Sequence, residues 1–302
     1  MTLDTLSALL SSNGPINVIL DTDAYNEVDD QFCLAYCMLA PERIRLRSIN
    51  AAPFYNSRSS SAADGMEKSY EEILRVMKLV DPNASIPVYR GSAAFLTDAE
   101  TPIESDAAEN IIRTVLTSEE SVILLAIGAI TNVASALIKR PDLAQRCAVI
   151  WLGGHALHYP HSREFNMRED VIAAQVVFDS GIPLLQIPCA GVCTELATSV
   201  PELEYYLGGR GALCDYLVEN VARECRGRYA YSRIIWDVSA AAALICPEGC
   251  EIVRLPRPSI TSDSCYSFDS ARPHYLYVRK LHRDKIYGDL FRRLSGEGNP
   301  VT

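Results

Sequence analysis

Four aspartates follow one apolar stretch near the start of the chain and are the residues best suited to chemistry. Asp21, Asp23, Asp29 and Asp30 all lie in the segment VILDTDAYNEVDDQF, residues 18–32. Carboxylates this close together repel one another unless a cation or protons neutralise them. Ligation by oxygen alone suits a hard cation, and we expect Ca²⁺ in preference to Mg²⁺. A simpler interpretation of the second pair is helix capping, because a helix N-terminus favours negative charge.

The segments around this cluster alternate between short β-branched runs and amphipathic helical patterns. This order predicts an α/β fold, with a mainly parallel central sheet flanked by helices. The predicted strands span 16–21, 44–51, 86–89, 121–127, 148–152 and 183–187, and the predicted helices span 29–38, 65–80, 106–116, 132–139 and 171–179. Ligands of such sheets bind at the carboxyl ends of the strands, where Asp21 and Asp23 would project together.

After residue 189 the pattern changes and becomes largely helical. Helices are predicted at 201–207, 212–225 and 239–244, and strands at 251–255 and 275–281. We expect this helical C-terminal portion to cover the active-site edge of the sheet. No repeat or linker divides the chain, so residues 1–302 are predicted to form a single domain.

Composition narrows the possible partners and locations. A hydrophobic fraction of 48% and a charged fraction of 22% are typical of a packed globular protein. The net charge of −10, without a Lys/Arg-rich run, disfavours a nucleic acid polymer as partner. Without a basic leader or a long apolar run, we expect a cytoplasmic protein with no membrane partner. The 10 cysteines are dispersed without zinc-ligand spacing and are predicted to be buried thiols.

Several motifs resemble those of one enzyme family, in the order in which that family carries them. The segment DTDAYNEVDDQ, residues 21–31, is similar to the DxDPGxDDA fingerprint of inosine–uridine-preferring nucleoside hydrolases, with two extra residues and no Pro-Gly. The family's GPLTN turn, paired glycines, EFN motif and HDP motif resemble residues 128–132, 153–154, 164–166 and 236–238. The resemblance spans residues 16–294 and implies the Rossmann-like nucleoside hydrolase fold.

The resemblance implies that a small ribonucleoside is hydrolysed to ribose and free base, with Ca²⁺ orienting the sugar and a water. It assigns calcium ligation to Asp23, Asp30, Asp237 and the Thr131 carbonyl, sugar contacts to Asp29, Asn56, Glu164 and Asn166, and a supporting position to Asp21. Asp23 is then also the expected general base. Taken singly, Thr131, Asn166 and Asp237 could each simply cap a helix. A homo-oligomer, either a dimer or a tetramer, is expected from the same resemblance.

One departure from the family concerns the departing base. Many relatives place a histidine before the late aspartate to protonate the base, but Trp236 stands there, and an indole cannot act as an acid. Trp236 could stack on the base, which would favour purines or modified purines, or it could be a core aromatic residue. Another group could supply the proton instead, and the candidates by sequence are Tyr229, Tyr231, Arg233 and His158, with His155 and His161 also close enough to line the base pocket. We expect His158 and Tyr231 to contact the substrate.

Two alternative functions stay open at this point. A non-catalytic, calcium-dependent nucleoside- or ribosyl-binding protein would keep the sugar motifs and lack leaving-group activation. A haloacid-dehalogenase-type phosphatase would use Asp21-Thr22-Asp23 with Mg²⁺ and an aspartyl-phosphate. That class expects Thr or Val where this chain has Tyr25, which disfavours it.

Overall fold

Twelve strands are present in the computed structural model, which describes residues 1–297. They are β1 (Ile16–Thr22), β2 (Ile44–Ala51), β3 (Val88–Arg90), β4 (Val122–Ala126), β5 (Cys147–Leu152), β6 (Leu184–Ile187), β7 (Ala197–Thr198), β8 (Arg233–Ile234), β9 (Cys250–Pro256), β10 (Ser259–Ile260), β11 (Tyr266–Ser267) and β12 (His274–Leu281). Eight of them form the central sheet in the order β3-β2-β1-β4-β5-β6-β12-β9. The short strands pair as two separate ribbons, β7 with β8 and β10 with β11.

Eleven α-helices connect and cover these strands within the described residues. They are α1 (Leu3–Leu10), α2 (Asp30–Met38), α3 (Ala62–Val80), α4 (Asp106–Thr117), α5 (Thr131–Lys139), α6 (Phe165–Glu169), α7 (Val171–Asp179), α8 (Val200–Leu207), α9 (Ala212–Cys225), α10 (Val238–Ile245) and α11 (Arg283–Ser295). Within residues 1–297, no helix combines the length and apolar character needed to cross a bilayer.

The sheet is parallel except at one edge, where β9 runs antiparallel to β12. Strand β1 lies inside the sheet between β2 and β4, and all seven of its residues are buried. Its last residues pair with the ends of both neighbours, since Asp21 lies opposite Asn50 and Ala126. The turn after β1 therefore leaves the sheet from a fully enclosed position.

Alternate residues of β1 enter two different hydrophobic layers, as the period of two in a strand requires. Val18 and Leu20 pack in the layer that contains α2 and α10, whereas Ile19 packs in the layer that contains α5 and α7. Both faces of β1 are thus covered by helices, and its sequence reads as a continuous apolar run rather than an alternation.

The structure confirms the predicted α/β fold with a mainly parallel sheet flanked by helices. Two features differ from the prediction. In the C-terminal segment, β9 and β12 extend the central sheet, so this segment contributes to the layer as well as covering its edge. The sequence pattern also predicts none of α1, α6 and α11. Of these, α11 carries many charged residues, which hide its single buried stripe.

Candidate active site

A cavity of about 360 Å³ opens beyond the carboxyl ends of β1, β4 and β5. Several loops that leave these strands line it, together with the start of α2 and the residues before α10. Its acidic lining residues are Asp23, Glu27, Asp29, Asp30, Glu164 and Asp237. This is the position at which open parallel sheets bind ligands.

Four of these residues, Asp23, Asp29, Asp30 and Asp237, form the group we call the acidic cluster. Asp23 follows β1, Asp29 is the N-cap of α2 and Asp30 its first residue, and Asp237 immediately precedes α10. Helices α2 and α10 pack against each other, which brings the distant Asp237 to the others. One oxygen each of Asp29, Asp30 and Asp237 lies within 4.8 Å of the others. Each of the four side chains is at most 4% exposed.

Burial and mutual repulsion raise the pKa of every carboxylate in the acidic cluster. For Asp23 and Asp237, burial raises the pKa well above the usual range, and the charges of neighbouring aspartates raise it further. Burial raises the pKa of Asp29 and that of Asp30 to about 6, although the Arg233 guanidinium lowers the first and the Thr22 hydroxyl lowers the second. Nearby cations among the described residues therefore do not fully compensate the ionised form of these carboxylates.

Two oxygens at this edge lack hydrogen-bond partners within the described part of the chain. One is Oδ2 of Asp23, and the other is Oδ1 of Asp21, which lies behind the cluster. The second oxygen of Asp21 accepts a hydrogen bond from Nδ2 of Asn132 at 2.9 Å. Gly128 allows the close approach of Asp23, because a Cβ at residue 128 would lie only 2.8 Å from Oδ1 of Asp23.

A hard divalent cation fits these residues. Three close donors, one oxygen each of Asp29, Asp30 and Asp237, come from two stretches of chain. Asp23 lines the same cavity from a third stretch, and its Oδ2 has no hydrogen-bond partner among residues 1–297. Ca²⁺ and Mg²⁺ both prefer such ligands, and Ca²⁺ tolerates the less regular geometry. A cation here would also reverse the repulsion that raises the pKa of each aspartate.

The opposite wall of the cavity comes from the loop between β5 and α6. The Glu164 carboxylate accepts hydrogen bonds from the backbone N–H of Gly154 at 2.9 Å, Asn166 at 2.8 Å and Met167 at 3.1 Å. Gly154 has a φ of +77°, a conformation that favours glycine. These bonds cap α6 and fix the Glu164 side chain at the cavity wall.

Asn166 is held by two strand-end carbonyls. Its Nδ2 donates to the carbonyl of Ile127 at 2.9 Å and to that of Leu152 at 3.0 Å. Both donor hydrogens are therefore used within the protein, and Oδ1 is left as the acceptor for a ligand in the cavity. Glu164 and Asn166 together offer acceptors for sugar hydroxyls.

Trp236 lies in the wall of the same cavity as the acidic cluster. Its backbone N–H donates to Oδ2 of Asp29 at 3.0 Å, and its ring lines the cavity. The side chain is half-buried and packs partly against the core. A flat apolar surface therefore stands next to the carboxylates.

Thr131 and Asn56 do not line this cavity. Thr131 begins α5 and is fully buried, and its hydroxyl donates to Oδ2 of Asp170 at 2.7 Å. The strand-end residue at the cavity is Ile127, so the proposed Thr131 carbonyl ligand is not supported by its position. Nδ2 of Asn56 donates to Oδ1 of Asn26 at 2.6 Å, and it is Asn26 that lines the cavity.

The proton donors suggested by sequence also lie outside the cavity lining, within the region that the structure describes. Tyr229 is fully exposed, and the Tyr231 ring lies under the Arg228 guanidinium at 4.5 Å. His158 packs against Tyr159. Arg233 forms an ion pair with Glu27 instead of facing a ligand.

Sequence reasoning missed part of the lining. Asn26 and Glu27 lie in the turn that is two residues longer than the family fingerprint, so the altered length was the available signal. Arg163 and Arg168 also line the cavity, and no motif indicates them, whereas His155 lines it as one of the three histidines expected near the base pocket. No local pattern separates His155 from the other two histidines of its loop, because the direction of each ring depends on the fold of the loop.

Comparison with known proteins agrees with the geometry. Residues 18–265 match the family model described as inosine-uridine preferring nucleoside hydrolase. A pyrimidine-specific ribonucleoside hydrolase, RihA, of Escherichia coli O127:H6 is 28% identical over 193 residues, covering 56% of this chain and 58% of the relative. The RihA of Enterobacter sp. strain 638 is 27% identical with the same coverage. The chain thus spans less than two thirds of the length of these relatives.

Solved structures share the fold across nearly the whole chain. A plant nucleoside hydrolase superposes with a TM-score of 0.74 at 18% identity, covering 93% of this chain and 99% of that one. A purine-preferring ribonucleoside hydrolase from Gardnerella vaginalis gives a TM-score of 0.72 at 18% identity, with coverages of 93% and 98%. At this level of identity, the likeness establishes the fold. The family match leaves the phosphatase alternative without support.

Proposed function

Because this chain belongs to the inosine-uridine preferring nucleoside hydrolase family, we propose that it hydrolyses the N-glycosidic bond of a ribonucleoside to give ribose and a free base. The observation that carries this proposal is the acidic cluster, which faces Glu164 and Asn166 across one cavity. A ribose needs oxygen acceptors on several sides, and this cavity supplies them.

We propose that Asp23, Asp30 and Asp237 hold Ca²⁺ and that Asp29 contacts the sugar. When bound, the cation would polarise the ribose 2′- and 3′-hydroxyls and increase the acidity of a water beside them. Asp29 is close enough to the other carboxylates to bind the cation as well. Its contact with the Trp236 backbone N–H favours a role in orienting the sugar.

Cleavage of the C–N bond passes through a state with positive charge on the ribose ring. The buried carboxylates of the acidic cluster would stabilise that charge by their field, which is strong where water is excluded. Oδ2 of Asp23 has no partner within residues 1–297 and is free to take the proton of the attacking water. Glu164 and Asn166 would hold the sugar hydroxyls in place during this step.

For the base we propose that Trp236 stacks on a purine or modified purine. Its ring lines the cavity next to Asp29, and a bicyclic base offers the larger stacking surface. The relatives include a pyrimidine-specific hydrolase and a purine-preferring one, so their names do not decide the preference. We further propose a homo-oligomer of single-domain chains in the cytoplasm.

A panel of purine and pyrimidine ribonucleosides tests the proposal, with reducing sugar as the measured product. We expect ribose release, with purine nucleosides giving the highest kcat/KM. Calorimetric binding of a nucleoside without any sugar release would instead identify a ribosyl-binding protein. Absence of both binding and release across the panel would contradict the proposed function.

A further inference from the structure

His155 lies in the loop that follows β5 and is the histidine whose side chain lines the cavity among residues 1–297. Two backbone features hold the loop in place next to the His155 ring. Gly154 turns the chain with a φ of +77°, and the backbone carbonyl of His155 accepts a hydrogen bond from the Tyr266 hydroxyl at 3.0 Å. The imidazole is therefore held by backbone contacts that do not depend on its own side chain.

The imidazole has unused hydrogen-bonding capacity. Its Nδ1 is buried and has no partner among the described residues. The nearest aromatic rings are those of Tyr159 at 5.4 Å and His161 at 5.8 Å, measured between ring centroids. A buried polar atom without a partner costs free energy, which a ligand in the cavity can recover.

Hydrolysis of a nucleoside leaves an electron pair on the departing base nitrogen, which must be stabilised by a proton or a hydrogen bond. The indole N–H of Trp236 does not titrate, so Trp236 cannot act as a general acid. Tyr229, Tyr231 and His158 lie outside the cavity lining. His155 is thus the imidazole that the fold brings to the same cavity as the acidic cluster.

We propose that His155 is a catalytic residue that protonates the departing nucleobase, an assignment that rests on the proposed N-ribosyl hydrolase function. As the C1′–N bond breaks, its electron pair moves to the base nitrogen, and the imidazole N–H donates to that base. The attacking water forms the new C1′–O bond and gives its proton to Asp23. Asp23 then releases its proton to solvent and solvent returns a proton to His155, so charge and protons balance over the cycle.

The test compares substrates that differ in their need for a proton. A purine ribonucleoside requires an acid at the base, whereas 4-nitrophenyl β-D-ribofuranoside does not, because 4-nitrophenolate is stable as an anion. For His155→Gln we expect kcat on the ribonucleoside to fall by about 10²-fold or more, the scale of general acid catalysis. Turnover of the 4-nitrophenyl riboside should change by less than about threefold, which also shows that the variant is folded.

The matched control is His274→Gln, because His274 is exposed at the start of β12 and lies outside the cavity lining. That variant should turn over both substrates like the wild type. If His155→Gln lowers turnover of both substrates equally, or lowers turnover of neither, His155 does not donate the proton. If the wild type hydrolyses the 4-nitrophenyl riboside and no nucleoside, the His155 proposal fails while the sugar site stands. If the wild type hydrolyses neither, the proposed function fails as well.

Discussion

The acidic cluster and a second charged region neutralise their carboxylates in opposite ways. The second region, which we call the α11 seam, consists of Tyr36, Glu42, Asp289 and Arg293. There the Arg293 guanidinium lies 2.7 Å from Oδ2 of Asp289 and 2.7 Å from Oε1 of Glu42. The Tyr36 hydroxyl donates to the same carboxylate of Asp289. Each acid of the α11 seam thus has a cation or a donor supplied by the chain.

The acidic cluster is more deeply buried and is less fully compensated. Its residues are at most 4% exposed, whereas the side chains of Asp289 and Arg293 are 16% exposed. The Arg233 guanidinium lowers the pKa of Asp29, yet burial still raises that pKa to about 6. Burying several carboxylates together with too few cations costs free energy. Proteins keep such arrangements where function requires them and lose stability as a result. The difference agrees with a structural role for the α11 seam and supports the proposal that the acidic cluster binds a cation and a substrate.

The largest expected difference between the two regions is in kcat, when one aspartate of each region is replaced by asparagine. Asp23→Asn should lower kcat on a ribonucleoside by about 10³-fold, because the amide cannot accept the proton of the attacking water. Binding of a ribosyl ligand, measured by calorimetry, should persist. The control is Asp289→Asn in the α11 seam, which should keep kcat near that of the wild type. If Asp23→Asn and the wild type turn over the nucleoside at comparable rates, Asp23 is not the general base.

A smaller effect is expected from the apolar wall beside the acidic cluster. Trp236→Ala should lower kcat/KM for a purine ribonucleoside by about tenfold, the worth of one stacking contact of about 1.4 kcal/mol. Trp236→Phe should retain most of the activity, because a flat ring remains. Equal losses on purine and pyrimidine ribonucleosides would show that Trp236 supports the fold of the site and does not select the base.

For the α11 seam, we expect a loss of stability without a loss of catalysis. Arg293→Met leaves Asp289 and Glu42 without their shared cation, and the free energy of unfolding should fall by about 1 kcal/mol. The magnitude is modest because the pair keeps some contact with solvent. Chemical denaturation and nucleoside turnover, measured on one preparation, check both statements. A variant of wild-type stability would show that the α11 seam contributes little.

The smallest effect is a pH dependence of stability that belongs to the acidic cluster. In the protein without metal, the pKa of Asp29 and that of Asp30 are about 6, above the ordinary value of 3.8. The folded state then binds more protons than the unfolded state between these values, so stability falls as the pH rises through this window. Ca²⁺ should restore it, by a few degrees in Tm, more at about pH 7.5 than at about pH 5.

Thermal unfolding with and without Ca²⁺ at the two pH values measures this difference. Asp30→Asn should reduce it, because one buried charge is removed. A Ca²⁺-induced rise in Tm that is equal at both pH values would argue against protons and the cation competing for the same carboxylates.

Much of the sheet was predictable, because its strands are local apolar runs. Strand β1 was predicted as 16–21 and ends at Thr22, and α7 was predicted with its observed bounds. Helix α11 was not predicted, because its 13 residues are rich in charge. Its apolar residues are recognisable as one buried face only when the elements packed against it are known. Short ribbons such as β7 with β8 depend on contacts between distant segments, which local patterns do not contain.

The site was predictable where motifs carry it and not where loop geometry decides. Asp23, Asp30 and Asp237 were placed together from motif order, and the structure brings them to one cavity. Thr131 stays a prediction: it begins α5 outside the cavity lining, whereas Ile127 at the end of β4 lines the cavity, and a motif match does not say which carbonyl faces a ligand. His155 could not be separated from His158, since the direction of each ring depends on the fold of the whole loop.

The central claim, that the acidic cluster holds a divalent cation needed for N-ribosyl hydrolysis, is tested most directly by removing and restoring the metal. Ribose release from a purine ribonucleoside should be lost after exhaustive chelation, and it should return when Ca²⁺ is added in excess of the chelator. Full ribose release by protein shown to contain no divalent metal would contradict the account.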